Sequence, residues 1–220
     1  MTTIADIAAE VRKPGLAVYG VAHDANARGD PYRSVVLLGP ATGFWDVFTL
    51  SPEYRDGDPD PLDRWSRRVI SRIAQSVEAE PLFPFGGPPY QPFPGWALES
   101  GRCWASPVGL LVHDHTGLMI SFRGALGFEF AVDEDISSAE AAGASGRPCN
   151  GCSKRPCVSA CPVGALSESG YDVDRCKAFL RTAAGHDCME RGCAVRRSCP
   201  ISAGAGRPSS QSAFHMNAFL

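Results

Sequence analysis

The sequence predicts an α+β fold in two parts, a mixed helix-and-strand front domain and a cysteine-rich domain behind it. Three observations predict it. Eight of the nine cysteines of this 220-residue chain lie between Cys149 and Cys199. The charge divides at the same place: residues 1–146 carry 11 basic and 19 acidic side chains, whereas 147–220 carry 10 and 5. In front of that boundary, amphipathic helical periods alternate with short apolar runs of strand length. The expected domains are 1–132 and 148–220, joined by a linker over 133–147 in which an acidic start gives way to Ser, Ala and Gly.

In the front part, Ile4, Ile7, Ala8 and Val11 share one helical face, and Lys13-Pro14-Gly15 stops that helix. Leu16 to Ala22 is a strand candidate. Ser34 to Leu38 is a second, whose continuous apolar run predicts burial on both faces. Gly39-Pro40-Ala41-Thr42-Gly43 follows as a turn; it lacks the residues of a dinucleotide fingerprint or a P-loop. The next helix opens on Asp60 as N-cap, Pro61 at the first position and Asp63 in the first turn. Leu62, Trp65, Val69, Ile73 and Val77 then form a core-facing stripe, with Arg64, Arg67, Arg68 and Arg72 on the solvated side.

Pro81 to Trp96 holds six prolines with Phe83, Phe85, Tyr90, Phe93 and Trp96. Proline at this density argues against regular helix or central strand. The segment reads either as a rigid extended loop sealing the core or as the apolar wall of a pocket for a large planar ligand. Val108 to His113 and Leu118 to Phe122 are apolar runs joined by Asp114-His115-Thr116-Gly117, the pattern of an antiparallel hairpin. A single histidine is most often a hydrogen-bonded structural residue, which is the plain reading of His113.

The cysteines run Cys149-x2-Cys152-x4-Cys157-x3-Cys161-Pro162, then Cys176, then Cys188-x4-Cys193-x5-Cys199-Pro200. No apolar run reaches the roughly 18–20 residues of a membrane span, and Met1 to Val11 lacks the pattern of an export signal. The expectation is a cytoplasmic protein without membrane contact. There, an odd count of nine thiols suits two four-thiolate sites with Cys103 left over better than a disulfide framework. Zinc is the simplest occupant of four cysteines. The first run resembles instead the bacterial ferredoxin arrangement C-x2-C-x2-C-x3-C-P, with a second gap of four residues rather than two. In that arrangement the Cys before Pro ligates the other cluster. The likeness implies Cys149, Cys152, Cys157 and Cys199 around one [4Fe-4S] cluster and Cys161, Cys176, Cys188 and Cys193 around a second. Arg147, Lys154, Arg155, Arg196 and Arg197 then compensate anionic clusters locally.

The order of the last seventy or so residues, with Asp174-Arg175-Cys176 isolated on a helix expected over Asp174 to Ala184, resembles the ferredoxin module of epoxyqueuosine reductases and corrinoid reductive dehalogenases. Ser106-Pro107-Val108-Gly109-Leu110-Leu111-Val112-His113, continuing through Gly117-Leu118 to Phe122-Arg123-Gly124-Ala125-Leu126, resembles a segment of CblC-type cobalamin-processing proteins. The resemblance implies a nitroreductase-like α+β front domain that holds cobalamin, followed by a ferredoxin-like domain with two [4Fe-4S] clusters. It makes His113 and Arg123 candidates for the corrin; Phe85 and Tyr90 join them on the pocket-wall reading of their loop. The segment Trp96 to Trp104 differs from that supplying the acid in epoxyqueuosine reductases, which argues against tRNA epoxide reduction. The tail segment Phe214 to Phe219 is expected to cap the apolar core, with an approach of His215 to a cofactor as the lesser alternative.

The expected function is one-electron reduction of cobalamin or a group on its cobalt, an oxidoreductase activity fed by a flavodoxin- or ferredoxin-reductase-type donor. The alternative from another class is an electron carrier to a partner protein with no corrinoid. The lesser alternative is a zinc-stabilised nucleic-acid-binding protein, suggested by the basic tail.

Overall fold

The computed structural model describes residues 3–24, 29, 31–133 and 146–220. Most of the expected linker, 134–145, lies outside the described residues. In chain order the elements are α1 (Ile4–Arg12), β1 (Leu16–His23), β2 (Ser34–Pro40), α2 (Phe44–Thr49), α3 (Pro52–Arg55), α4 (Pro61–Ser76), β3 (Glu80–Leu82), α5 (Phe93–Glu99), β4 (Cys103–Ala105), β5 (Leu111–His113) and β6 (Gly124–Phe128). After them come β7 (Leu166–Ser167), β8 (Gly170–Tyr171), α6 (Val173–Leu180), α7 (His186–Arg191), α8 (Ala194–Ser198) and α9 (Ser209–Phe219), with short 3-10 turns between.

The described residues form two compact units, Met1–Cys103 with Ser121–Gly143, and Trp104–Ile120 with Ala144–Leu220. These do not follow a single cut near residue 132. Trp104–Ile120, assigned by sequence to the front domain, groups with the cysteine-rich segment.

The first unit is α+β, built on an antiparallel sheet in the order β1-β2-β6-β3. β2 lies inside it and is buried along its whole length, as its unbroken apolar run requires. α4 packs on β3 and β6, α5 on β1 and β2, and α1 on β1. Ile7, Leu16, Leu37, Leu38, Phe44, Phe48, Trp65, Ile70, Trp96, Leu126 and Phe128 are the largest of its fully buried side chains. Thr3 and Asp6 cap α1 reciprocally, each side chain accepting from the other's backbone N–H. Arg68 donates to both oxygens of the poorly exposed Glu53, joining α4 to α3.

Three expectations about this unit are corrected. Asp60 precedes α4 but makes no side-chain cap; its backbone is left-handed (φ 52°, ψ 47°), and Pro61 starts the helix. The proline-rich segment is not wholly extended. It gives the edge strand β3 and the helix α5, because Pro94 falls in the first turn, where its missing N–H has no helical partner to lose. No strand covers 118–122; the chain turns through that stretch and supplies β6 to the main sheet at Gly124–Phe128 instead.

In the second unit β4 pairs with β5, and the turn that follows closes on itself: His113 and Gly117 exchange backbone hydrogen bonds of 3.1 and 3.0 Å. Val108, Val112 and Leu118 join Cys157, Leu166 and Val195 in one buried cluster, with Cys149, Cys161, Cys193 and Cys199 packed around it. The hairpin segment thus supplies the apolar floor on which the cysteine loops sit. α6 ends at Leu180, short of the expected Ala184, and a 3-10 turn over Ala183–Gly185 leads into α7. α9, carrying His215, packs on α7.

Candidate metal centre

The cysteines sit in or beside short elements. Cys149 and Cys157 lie in single 3-10 turns, each opened by a proline. Cys176 is in the first turn of α6, whose N-cap Asp172 accepts from the Arg175 N–H at 2.9 Å. Cys188 lies in α7, and Cys193 and Cys199 bracket α8. None of the nine is in a disulfide.

Electrostatic coupling divides the eight thiols into two sets of four. Burial pushes the Cys149 thiol up, opposed by the charge and hydrogen bond of Arg147, with Cys199 and Cys152 adding to the rise. Burial also raises Cys157, and Cys149, Cys199 and Cys152 raise it further. In the other set burial raises Cys176 against a hydrogen bond from Tyr171, and Cys193, Cys161 and Cys188 push the same way. Cys188 is raised by burial and then, against an N–H from Ala194, by Cys193. Each of these four thiols is coupled to members of its own set.

Among the described residues no group of three or more His, Cys, Asp or Glu is arranged to hold a metal ion. Burial and the neighbouring sulfurs favour the neutral thiols, and a cationic core between the four of a set would favour the thiolates instead. An all-thiolate, soft donor set of four fits a [4Fe-4S] core.

The surroundings of each set carry cationic and hydrogen-bonding groups. Arg147 donates to the Ala105 carbonyl as well as approaching Cys149. The Ala165 N–H points at the Cys161 sulfur at 3.2 Å. Burial lowers the pKa of Arg196 against the pull of Cys193 and Tyr171, and its Nη1 donates to the Leu118 carbonyl at 2.6 Å. Arg197 holds the Gly192 carbonyl at 3.0 Å, and its charge favours the Cys188 thiolate. Arg147, Arg196 and Arg197 are thus placed as sequence charge compensation expects. Tyr171 was not anticipated. Its hydroxyl meets Cys176 and its ring stacks on Phe219, with centroids 6.3 Å apart. An aromatic hydroxyl five residues before an isolated cysteine is the only trace of it in the sequence.

The four residues proposed for a corrin do not come together in one unit. His113 lies in the second and is almost fully buried; its Nδ1 meets the N–H groups of His115 and Thr116 at 3.2 Å and Oδ1 of Asp114 at 3.1 Å. That ring pins the turn, the structural role expected of a lone histidine. Arg123, Phe85 and Tyr90 belong to the first unit. Arg123 lies 3.6 Å from Asp63, and its Nε donates to its neighbour's carbonyl, Phe122, at 2.9 Å. Burial lowers its pKa against Asp63 and Tyr19. Phe85 and Phe83 flank the Arg67 guanidinium, 5.5 and 5.3 Å from their centroids, and Tyr90 is exposed.

Comparison with protein-family models, with curated proteins and with solved structures finds no match. Among the described residues no helix is long and apolar enough to cross a membrane.

Proposed function

We propose that this chain is a cytoplasmic iron–sulfur electron-transfer protein holding two [4Fe-4S] clusters and reducing a corrinoid, or a group on its cobalt, one electron at a time. The observation that carries the electron-transfer part is the division of eight thiols into two coupled sets of four. Cys149, Cys152, Cys157 and Cys199 would hold one cluster, and Cys161, Cys176, Cys188 and Cys193 the other. When bound, each cluster supplies a site that takes up and releases a single electron. The chain's own groups set how readily it does so: N–H and O–H donors at the sulfurs and the nearby guanidinium groups favour the more negative state. The corrinoid acceptor, and the nitroreductase-like and ferredoxin-like natures of the two parts, rest on the resemblance in sequence.

A second reading, a carrier that passes electrons to a partner protein and binds no corrinoid, is favoured by the internal engagements of Arg123 with Asp63 and of Phe85 with Arg67. Anaerobic purification with iron, sulfide and zinc analysis, followed by titration with cob(II)alamin, separates the possibilities. About eight irons per chain with a cobalamin-dependent spectral change is the expected result. Iron without any response to cobalamin leaves the carrier reading; zinc without iron sinks both and supports the nucleic-acid-binding alternative.

A further inference from the structure

We propose that the loop between Cys152 and Cys157 is the docking point of a small acidic one-electron carrier protein, delivering electrons beside the set formed by Cys149, Cys152, Cys157 and Cys199; this rests on the electron-transfer reading above. Relative to the ferredoxin spacing, the gap between these two cysteines is longer by two residues, and it reads Ser153-Lys154-Arg155-Pro156. Lys154 and Arg155 are both exposed, as is Arg147 just before the first ligand. The chain carries no acidic residue from Gly146 to Ser167. Three cations therefore stand within three residues of Cys149, Cys152 or Cys157 with no carboxylate interleaved.

The loop is anchored on either side. Ahead of it Arg147, five residues before Cys152, donates to the Ala105 carbonyl, and at its end Cys157 is buried with Val108, Val112 and Leu118. Between these anchors Arg155 adopts φ 37° and ψ 52°, left-handed for a non-glycine residue and directly before Pro156, where extended backbone is the rule. Backbone in such a state persists where its surroundings impose it, and it concentrates at functional positions.

The chemistry that fits is an acidic protein face. Clustered cations beside an electron-accepting site raise the encounter rate of an anionic carrier and orient it at the point of closest approach. A nucleic acid fits less well, because three cations neutralise only about three phosphates and such non-specific electrostatic binding is weakened by salt. In the transfer itself, the carrier's anionic flavin hydroquinone loses one electron and becomes the neutral semiquinone. A cluster held by Cys149, Cys152, Cys157 and Cys199 would take up that electron, with no bond in this chain formed or broken.

The test uses the full chain, purified anaerobically with its iron content established, and flavodoxin as the probe. Binding of oxidised flavodoxin is measured by calorimetry, and oxidation of its hydroquinone by stopped flow, across a range of salt. The double variant K154E/R155N keeps at position 155 a residue that tolerates left-handed backbone; Arg72→Glu, on the exposed side of α4, is the control. The double variant should bind and react about tenfold or more weakly at low salt and lose most of its salt dependence, with iron content and electron paramagnetic resonance spectrum unchanged. An iron-loaded double variant that matches Arg72→Glu in both measurements overturns the docking proposal. So does loss of tRNA binding in that variant with flavodoxin binding intact, which reassigns the loop to nucleic acid. A wild-type protein without iron overturns the electron-transfer reading itself.

Discussion

Arg196 reaches Leu118, 78 residues earlier, and donates Nη1–H to its carbonyl at 2.6 Å. The hydrogen bond holds a partly buried guanidinium near Cys193 and Tyr171. A fixed positive charge there stabilises added negative charge on the set that contains Cys193. If the chain holds the two proposed clusters, replacing Arg196 by Gln should make one of them harder to reduce, by tens of millivolts, and leave the other within error. A redox titration followed by electron paramagnetic resonance reads this directly; equal shifts in both centres would contradict the division of thiols.

The Tyr171 hydroxyl acts on the same set through a different contact, its hydrogen bond to Cys176. Hydrogen bonds to cluster sulfur raise the potential. A net contribution of about 1 kcal/mol corresponds to about 40 mV for a one-electron couple. Tyr171→Phe keeps the ring on Phe219 and should lower one potential by about 20–60 mV, with iron content unchanged. An unaltered potential in both centres removes Tyr171 from the site.

The crossed arrangement makes a prediction that a sequential one does not. Cys199 is last in the chain but couples to Cys149 and Cys157, whereas Cys161 couples to Cys176. Cys199→Ala and Cys149→Ala should damage the same centre, and Cys161→Ala and Cys188→Ala the other, each leaving about four irons of eight. Cys103→Ala should leave both intact. If Cys161→Ala and Cys149→Ala abolish the same spectral signature, the crossed assignment is wrong.

What was legible in the sequence follows from how local the cause is. The short spacings between cysteines are local, so the cysteine-rich segment itself could be read from the sequence. The α4 start was equally readable from Pro61. β6 was hidden because Gly124 and Gly127 have low strand propensity. They are glycines because a Cβ at 124 would sit 2.6 Å from Ile70 Cδ1, and one at 127 would sit 2.6 Å from the Tyr32 ring. Those neighbours come from distant segments and leave no local pattern. The same holds for the hairpin turn and its partners in the cysteine-rich unit: Ser202 Oγ accepts from the Leu118 N–H at 3.1 Å and donates to the Arg196 carbonyl at 2.7 Å.

In the first unit, Asp56 accepts from Arg64 at 2.8 and 2.7 Å and from the Asp58 N–H at 2.9 Å. The Arg64 hydrogen bonds, aided by that N–H, hold its carboxyl down at about 2. The folded value lies below the unfolded one of about 3.9, so its stabilisation is present above that pH and is lost as pH falls towards 2. Asp56→Asn should lower the melting temperature at pH 6, and the difference from wild type should shrink steadily between about pH 4 and pH 2. Tryptophan fluorescence is a suitable probe, since Trp45, Trp65 and Trp96 all belong to this unit. A difference that stays constant down to pH 2 would place the effect elsewhere.

Gly117 couples the fold of the second unit to its candidate ligands. Its backbone is left-handed (φ +57°), and a Cβ there would stand 2.6 Å from the Ser202 nitrogen and 2.9 Å from the Ile201 carbonyl carbon. Both atoms are backbone of the 3-10 turn Pro200–Ala205, immediately after Cys199, so relief requires that turn to move. Gly109 is also left-handed (φ +75°) but has nothing within 4 Å of its Cβ position. Gly109→Ala should therefore cost only the backbone penalty of about 1–2 kcal/mol. Gly117→Ala adds an overpacking cost of about 1–3 kcal/mol and displaces Cys199. In urea titrations of the iron-loaded protein, Gly117→Ala should be clearly the less stable of the two and should selectively lose the centre that Cys199 serves. Equal stability and full iron in both variants would show that the hairpin turn does not position Cys199.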